Sequence, residues 1–429
     1  MYTHLNRMIW KASLLITVIS FSFIVVLAAP GDLDTTFSGD GKVTTDINVG
    51  REDVLREIAL QTDGKIVVVG ERNDPIRVYD FAVARYNPNG TLDTTFSGDG
   101  KLLTNFGGID KAEDVAIQPD GKIVVAGSRC LDDIWPDQKC DLAIARYQIN
   151  GALDPTFSGD GKAITGFGGG SNGFWGGLAI QSNGKIVVNG WMWNGTDFDF
   201  AVYRYNANGA LDTTFSGDGR VRVGFATGPQ DMANDLALQP DGKVVVSGHS
   251  CDTVNFENCD FAVLRLNANG TLDTTFSGDG RQTINFGGNE GPEGIAVQPN
   301  GKIVVAGSRW TPAALFALVR LNPNGSLDTA FSGDGRVLTG FGPGVGAGCG
   351  DVRVQSNGKI VAAGYAGDDL ALARYNANGT LDTTFSTDGR VRVDFGSDDT
   401  GAKLALQGDG RYVLAGSTQG DFALARVLP

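Results

Sequence analysis

Short apolar runs of β-branched and aromatic residues, each stopped by Gly, Asn or Pro, follow one another along the chain: Phe81-Ala82-Val83-Ala84, Leu102-Leu103, Ile117, Ile123-Val124-Val125. Runs of this length and composition predict strands, not helices. Between Ile117 and Ile123 stands Gln118-Pro119-Asp120-Gly121-Lys122, a tight reverse turn with Gly at the positive-φ position, so the flanking runs are expected to form a hairpin. Asn87-Pro88-Asn89-Gly90 is the same kind of turn after a third strand, and Lys101-Leu102-Leu103-Thr104-Asn105-Phe106 supplies a fourth.

This four-strand pattern repeats. The phrase Leu92-Asp93-Thr94-Thr95-Phe96-Ser97-Gly98-Asp99-Gly100 returns with its Phe at Phe37, Phe96, Phe157, Phe215, Phe276, Phe331 and Phe385, at spacings of 54 to 61 residues. Keeping step with it are the turn glycines Gly64, Gly121, Gly184, Gly242, Gly301, Gly358 and Gly410 and the arginines Arg85, Arg146, Arg204, Arg265, Arg320, Arg374 and Arg426. Each repeat is therefore a multi-stranded unit, and there are seven. Units with both strand faces apolar need a neighbour on each side. The expected fold is all-β: a seven-bladed β-propeller of four-stranded antiparallel blades. A linear solenoid is the competing architecture, but it needs atypical capping units and these ends are ordinary repeat material.

The phase of the ends points to a ring. The repeat material begins with a Phe phrase and its strand (33–47) and stops after a third strand (422–427), so the N-terminal strand is expected to complete the last blade. With the strand before each turn innermost, the blades run about 53–106, 112–167, 174–225, 233–286, 293–341, 350–395, and 402–428 plus 33–48. Closure would leave no exposed sheet edge to aggregate.

Ala152-Leu153-Asp154-Pro155-Thr156-Phe157-Ser158-Gly159-Asp160-Gly161-Lys162, Ala116-Ile117-Gln118-Pro119-Asp120-Gly121-Lys122-Ile123-Val124-Val125-Ala126-Gly127 and Asp80-Phe81-Ala82-Val83-Ala84-Arg85-Tyr86-Asn87 resemble the delta-60 repeat family of bacterial β-propellers over essentially all of the chain after its leader. The resemblance implies architecture and carries no established activity.

Residues 1–28 read as a secretory signal, with Arg7 and Lys11 before an apolar run from Ala12 to Leu27 and small residues for cleavage before Ala29. The alternative is an uncleaved membrane anchor. Residues 29–429 then form a single domain, expected to be exported to periplasm, medium or cell surface, monomeric, and off the membrane. Losing Arg7 and Lys11 moves the net charge from −14 to −16. That balance argues against nucleic acid, whose phosphates need clustered Lys and Arg.

The turns are constant across the seven copies, while the fourth-to-first and second-to-third strand links vary and share one face, the usual place for recognition. In or beside these links lie Trp135, Trp175, Trp191, Trp193 and Trp310, with Phe174 next to Trp175. Two readings stand: a site for a carbohydrate, peptide or protein ligand centred on the third blade, or rings that cap the blades. Glu57, Asp114, Asp235 and Asp351 are expected at the start of the innermost strands, with Gly177, Gly294 and Lys403 in the other blades. They would form either a solvated rim at the channel mouth or a loose Ca²⁺ site, the one cofactor considered. Ser-Gly-Asp-Gly-Lys is a turn, lacking the ligand series of a calcium loop. The sevenfold Arg and the Asp of Leu-Asp-Thr-Thr-Phe are too regular for catalysis and predict a repeated ion pair.

Cys130 with Cys140 and Cys251 with Cys259 bracket the same link in two blades and are expected to be disulfides; Cys349 is left as a buried thiol. Asn-Gly-Thr and Asn-Gly-Ser triplets are explained as hairpin turns. His249 is the one His beyond the leader and no nucleophile motif accompanies it, which favours a binding or surface-interaction module. The alternative is an extracytoplasmic enzyme acting on carbohydrate, a hydrolase or lyase, through paired carboxylates.

Overall fold

The computed structural model describes residues 28–47, 52–73, 79–131, 140–166, 172–173, 176–225, 230–252 and 257–429. Residues 1–27, Trp135, Phe174 and Trp175 lie outside them, so the expected leader and part of the expected third-blade ligand site fall outside the described residues. Among the described residues every regular element is a strand, and no helix is long and apolar enough to cross a membrane.

The strands form four-stranded antiparallel units in chain order. Glu52–Leu60, Ile66–Asn73, Asp80–Tyr86 and Lys101–Thr104 make the first; Ile109–Ile117, Ile123–Cys130, Cys140–Tyr147 and Lys162–Thr165 the second. The third consists of Leu178–Ile180 with the short Asn172–Gly173, then Ile186–Trp193, Phe198–Tyr205 and Arg220–Val223. Gln230–Leu238, Val244–Cys251, Cys259–Leu266 and Arg281–Ile284 follow, tied to the third unit by one parallel bridge between Phe198 and Gln230. The next two run Glu290–Val297 to Arg336–Thr339 and Ala347–Val354 to Arg390–Val393. The last C-terminal strands, Asp399–Leu406, Tyr412–Thr418 and Asp421–Val427, take Lys42–Thr45 as their fourth, with Lys42 opposite Ala425 and Thr45 opposite Phe422.

The hydrophobic core lies between sheets. Val67, Val69, Phe81 and Val83 of the first sheet pack with Val115, Ile123, Val125 and Ala143 of the second. Ile58, Val68 and Ala82 of the first sheet likewise pack with Val413, Ala415, Phe422 and Leu424 of the last. Third strands are therefore covered on both faces, and Asp80–Tyr86 is buried throughout. This explains why those segments read as continuous apolar runs with little alternation. The propeller-like stacking follows from that two-sided burial.

Each turn closes as its sequence predicts: the Gly64 N–H donates to Gln61 O, with Gly64 at φ 83°. The repeated arginine is a further link between sheets. Arg204 Nε donates to Asp212 at 2.6 Å, its guanidinium carbon lies 4.5 Å from the Phe215 ring centre, and Nη1 reaches the Ala268 carbonyl in the next sheet's turn. Equivalent pairs join Arg85 to Asp93, Arg146 to Asp154, Arg265 to Asp273, Arg320 to Asp328 and Arg374 to Asp382. The seventh, Arg426 with Asp34 at 2.8 Å, ties the last strand to the N-terminal phrase.

The two expected disulfides are present, and each joins residues directly opposite in the second and third strands of its sheet. Closing loops this short removes about 2.5 to 3 kcal/mol of unfolded-chain entropy each. Cys349 is a free thiol, 2% exposed, donating to the Asp351 carbonyl.

Candidate functional site: the central channel and the loop face

The first strand of each sheet does not pair with its neighbour's first strand, so some of its N–H groups face inward without a ladder partner. These strands also carry a bulge at equivalent places: between Leu55 and Glu57, Ala112 and Asp114, Ala233 and Asp235, Pro292 and Gly294, Cys349 and Asp351, and Thr400 and Lys403. A bulge re-aims side chains. Consequently Glu57, Asp114, Asp235 and Asp351 stand several residues into their strands, immediately past the bulge. They are not at the strand starts on the loop face, as the sequence predicts.

There they clip sheets together. Asp114 accepts the N–H of Leu178, Asp235 that of Ile295 at 2.9 Å, and Asp351 that of Leu404 at 2.9 Å, each in the following sheet. The residues before these donors are Gly177, Gly294 and Lys403. A Cβ on Gly177 would come 2.4 Å from Asp235 Oδ1, and one on Gly294 would come 3.0 Å from Asp351 Cα, so acid and glycine alternate because two side chains do not fit. Lys403 instead reaches the Gly350 carbonyl at 3.0 Å and Glu57 at 3.5 Å. Arg353 pairs with Asp351 and with Glu57.

These four acids do not form a freely solvated rim. Asp351 is 2% exposed, the other three acids are half-buried, and an oxygen of each accepts a backbone N–H. Among the described residues, the carboxylate triplets close enough to share an ion lie elsewhere, at Asp46, Asp53 and Asp421 and at Asp369, Asp394 and Asp399.

The bulged residues themselves, which sequence reasoning did not single out, line a polar cavity of about 260 Å³: Arg56, Glu113, Asn234 and Glu293, with Lys403, Glu57, Asp114 and Asp235. Arg56 forks onto Glu71 at 2.6 and 3.0 Å and stands 3.8 Å from Glu113. Burial, opposed by Arg56, pushes Glu113 up to about 8. Burial likewise raises Asp235 to about 7 and Asp351 to about 6, against Lys403 and Arg353. His249, the remaining candidate base, is depressed to about 4 by burial and stays neutral. The only signal for these residues in the sequence was charge beside Glu57 and Asp114, which reads equally as solvated surface.

The Arg-linked aspartates shift the other way. Burial opposes ionisation of Asp154, but hydrogen bonds from Thr156 and Lys122 and the charge of Arg146 hold it at about 2; Asp273 is held at about 2 similarly. Raised acids favour the folded state at low pH; that contribution declines from about pH 4, where the same groups ionise in the unfolded chain, and is gone once pH passes 6 to 8. Depressed acids contribute above pH 4 and are lost as pH falls toward 2. The melting temperature is therefore expected to be highest near pH 4 and to fall on both sides, which calorimetry from pH 2 to 9 measures. A steady rise from pH 5 to 8 would contradict the buried, underneutralised acids of this cavity.

On the loop face the tryptophans divide. Trp191, expected at a ligand site, is 5% exposed and packs edge-on to Phe198 at 4.7 Å, so it belongs to the core; Trp193 is half-buried against the same ring at 5.0 Å. The reason is local. In the fifth and seventh sheets a small Ser at the Trp191 position accepts the next sheet's N–H, Ser308 from Cys349 and Ser417 from Leu55. In the third sheet the broken first strand is bound instead by Asn189, which accepts the Gly177 N–H at 2.9 Å, and the position is open to a large ring. Trp310 is 40% exposed, its ring over Gly291, and Tyr365, absent from the sequence expectations, is 38% exposed over Gly348. Gly291 and Gly348 hold the same place before the bulge, where other sheets carry Val54, Lys111 and Met232.

Among solved structures, similar folds include a protein of unknown function from Dyadobacter fermentans DSM 18053 (TM-score 0.47, 11% identity, 91% of this chain and 98% of that one). Others are the polysaccharide lyase Uly1 (TM-score 0.46, 13% identity, 87% and 89%) and a periplasmic gluconolactonase of Pseudomonas aeruginosa (TM-score 0.44, 12% identity, 88% and 96%). At such values the likeness carries no argument about activity. No curated protein matches the chain. Six stretches, 61–96, 118–157, 181–215, 239–276, 298–331 and 355–385, match the family model described as a domain of unknown function (DUF5122) beta-propeller. Each runs from the Gln of the turn to the Phe of the repeated phrase, and the repeats of this chain thus belong to that β-propeller family.

Proposed function

We propose that this protein is an exported β-propeller of seven blades, its ring closed by the N-terminal strand, that serves as a binding or surface-interaction module for a carbohydrate, peptide or protein on its loop face. Several features support the ring: Lys42–Thr45 completes the last sheet, the first and last sheets share a core, and Arg426 pairs with Asp34. The alternation of acid and non-acid in the first strands breaks once, where Glu57 adjoins Asp114, as a closed ring of odd number requires. Two disulfides support an oxidising compartment, and with it export.

The observation that carries the binding reading is the pair of exposed rings, Trp310 and Tyr365, each laid over a first-strand glycine on the loop face. Exposed aromatics held flat by their support present a rigid apolar surface at low entropic cost. A glycan and peptide array identifies the ligand class; Trp310→Ala and Tyr365→Ala are then expected to weaken binding by about 2 kcal/mol, some thirtyfold. Their melting temperatures should stay near that of the parent. Lost stability with affinity unchanged would make these rings packing.

The second reading, an enzyme acting on carbohydrate, is favoured by Glu113, a carboxyl that keeps its proton near neutrality inside a polar cavity. Incubation with a polysaccharide panel, following reducing ends and unsaturated products, separates the two; turnover abolished by Glu113→Gln would establish the enzyme.

A further inference from the structure

The cavity's charges do not balance. Its cations are committed: Arg56 to Glu71, Arg353 to Asp351 and Glu57, Lys403 to Glu57 and the Gly350 carbonyl. Asp114 and Asp235 have given oxygens to backbone N–H groups of the following sheets. Glu113, which meets Arg56 only through Oε2 at 3.8 Å, and Glu293 remain. The Glu113 side chain is only 7% exposed, and its Oε1 makes no hydrogen bond; nor does Oδ1 of Asn234, whose amide donates to Glu293. The unused atoms lining this space are thus acceptors, in a setting where acids outnumber bases.

A buried acceptor without a donor costs about 1 to 3 kcal/mol, and more when charged, so the cavity complements something that donates hydrogen bonds and carries positive charge. We propose that the central cavity binds a small linear organic amine, its ammonium group held by Glu113, Glu293 and Asn234. A divalent ion directly ligated by protein suits the site less, since the described carboxylate triplets close enough for one lie elsewhere. An ammonium has three N–H donors, tolerates spread acceptors, and leaves a carbon tail to lie along the channel. At about 260 Å³ the space falls below that of drug-sized pockets, which limits the ligand to a few carbons.

Titration supports the same picture. Glu113 faces Arg56, Glu71, Lys111 and Lys403, and Glu293 faces Lys403, Asn234 and Arg56; burial nevertheless raises both, Glu113 to about 8. Without an amine, Glu113 takes up a proton, so binding releases it. Affinity should increase from pH 6 to 9, while an alkylammonium of pKa near 10 stays charged.

The test is isothermal titration of the purified protein at low salt with 1,4-diaminobutane, beside calcium chloride and the uncharged 1,4-butanediol. The diamine is expected to bind saturably at pH 8, releasing up to one proton as read from buffers of different ionisation heat. At pH 6 it should bind at least tenfold more weakly. Glu113→Gln should weaken it tenfold or more with no loss of melting temperature, while Asp63→Asn, on an exposed turn, should leave it unchanged. Absence of saturable heat, equal binding of the diol, preference for calcium, or full affinity in Glu113→Gln overturns the proposal. Trp310 and the loop face are not involved, so this result and the array result stand or fall separately.

Discussion

Deletion of residues 33–47 is expected to lower the melting temperature by roughly 7 to 12 °C and to make the protein associate. The segment supplies the fourth strand of the last sheet, the fully buried Phe37, and Asp34, the partner of Arg426. Removing a buried aromatic costs about 3 to 5 kcal/mol and orphaning a buried arginine a similar amount, so the total is on the order of 6 to 10 kcal/mol. Spread over an unfolding entropy of about 2.1 cal/mol/K per residue, that sum corresponds to the stated shift. Asp421–Val427 would also become an exposed edge with unpaired N–H and C=O groups, a template for another copy. Calorimetry and light scattering measure both effects. A truncated protein that stays monomeric and equally stable would exclude closure by this strand.

Asp212→Asn should cost about 3 to 5 kcal/mol, a drop of roughly 4 to 6 °C, although the change is isosteric. Side chains of Arg204 and Asp212 are 6% and 3% exposed, and Lys185 shares the carboxylate at 2.6 Å. The substitution leaves a guanidinium buried against Phe215 without its counter-charge. Replacing both partners together, Arg204→Met with Asp212→Leu, should recover much of the loss, because the desolvation of the pair then disappears with it. Ligand binding on the loop face should not change. A single variant within about 0.5 kcal/mol of the parent would show that the repeated pair is dispensable and that the Phe215 contact carries the inter-sheet link.

What recurs from unit to unit as residue type was legible beforehand. The turn glycines, the buried phenylalanines, the arginine and aspartate, and the two cysteine pairs act within one repeat or at a constant offset to the next. Identical local geometry makes identical residues necessary, and repetition in the sequence announces them. The phase of the ends carried the pairing of Lys42–Thr45 with Asp421–Val427 in the same way, since a three-stranded unit at one end and a lone strand at the other leave complementary edges.

The channel and the loop face were not legible to the same degree. Glu57, Asp114, Asp235 and Asp351 could be read as equivalent positions of the first strands, but their place along the strand could not, because a bulge adds a residue to one strand without any mark in the residue types. The same bulges turn Glu113, Asn234 and Glu293 toward a common cavity, although in the chain Glu113 and Asn234 stand 121 residues apart and Asn234 and Glu293 stand 59 apart. Trp191 read as a ligand-face ring because it departs from the repeat; its burial depends on how the third sheet's broken first strand is tied by Asn189. By itself the sequence determined the repeat, the strands and turns, the clamp between units and the disulfides, all set by contacts within or just beyond one unit. Only the tertiary structure decided which polar side chains converge, because convergence depends on strand register and on the close approach of first strands from different sheets, and neither is written in any one unit's residues.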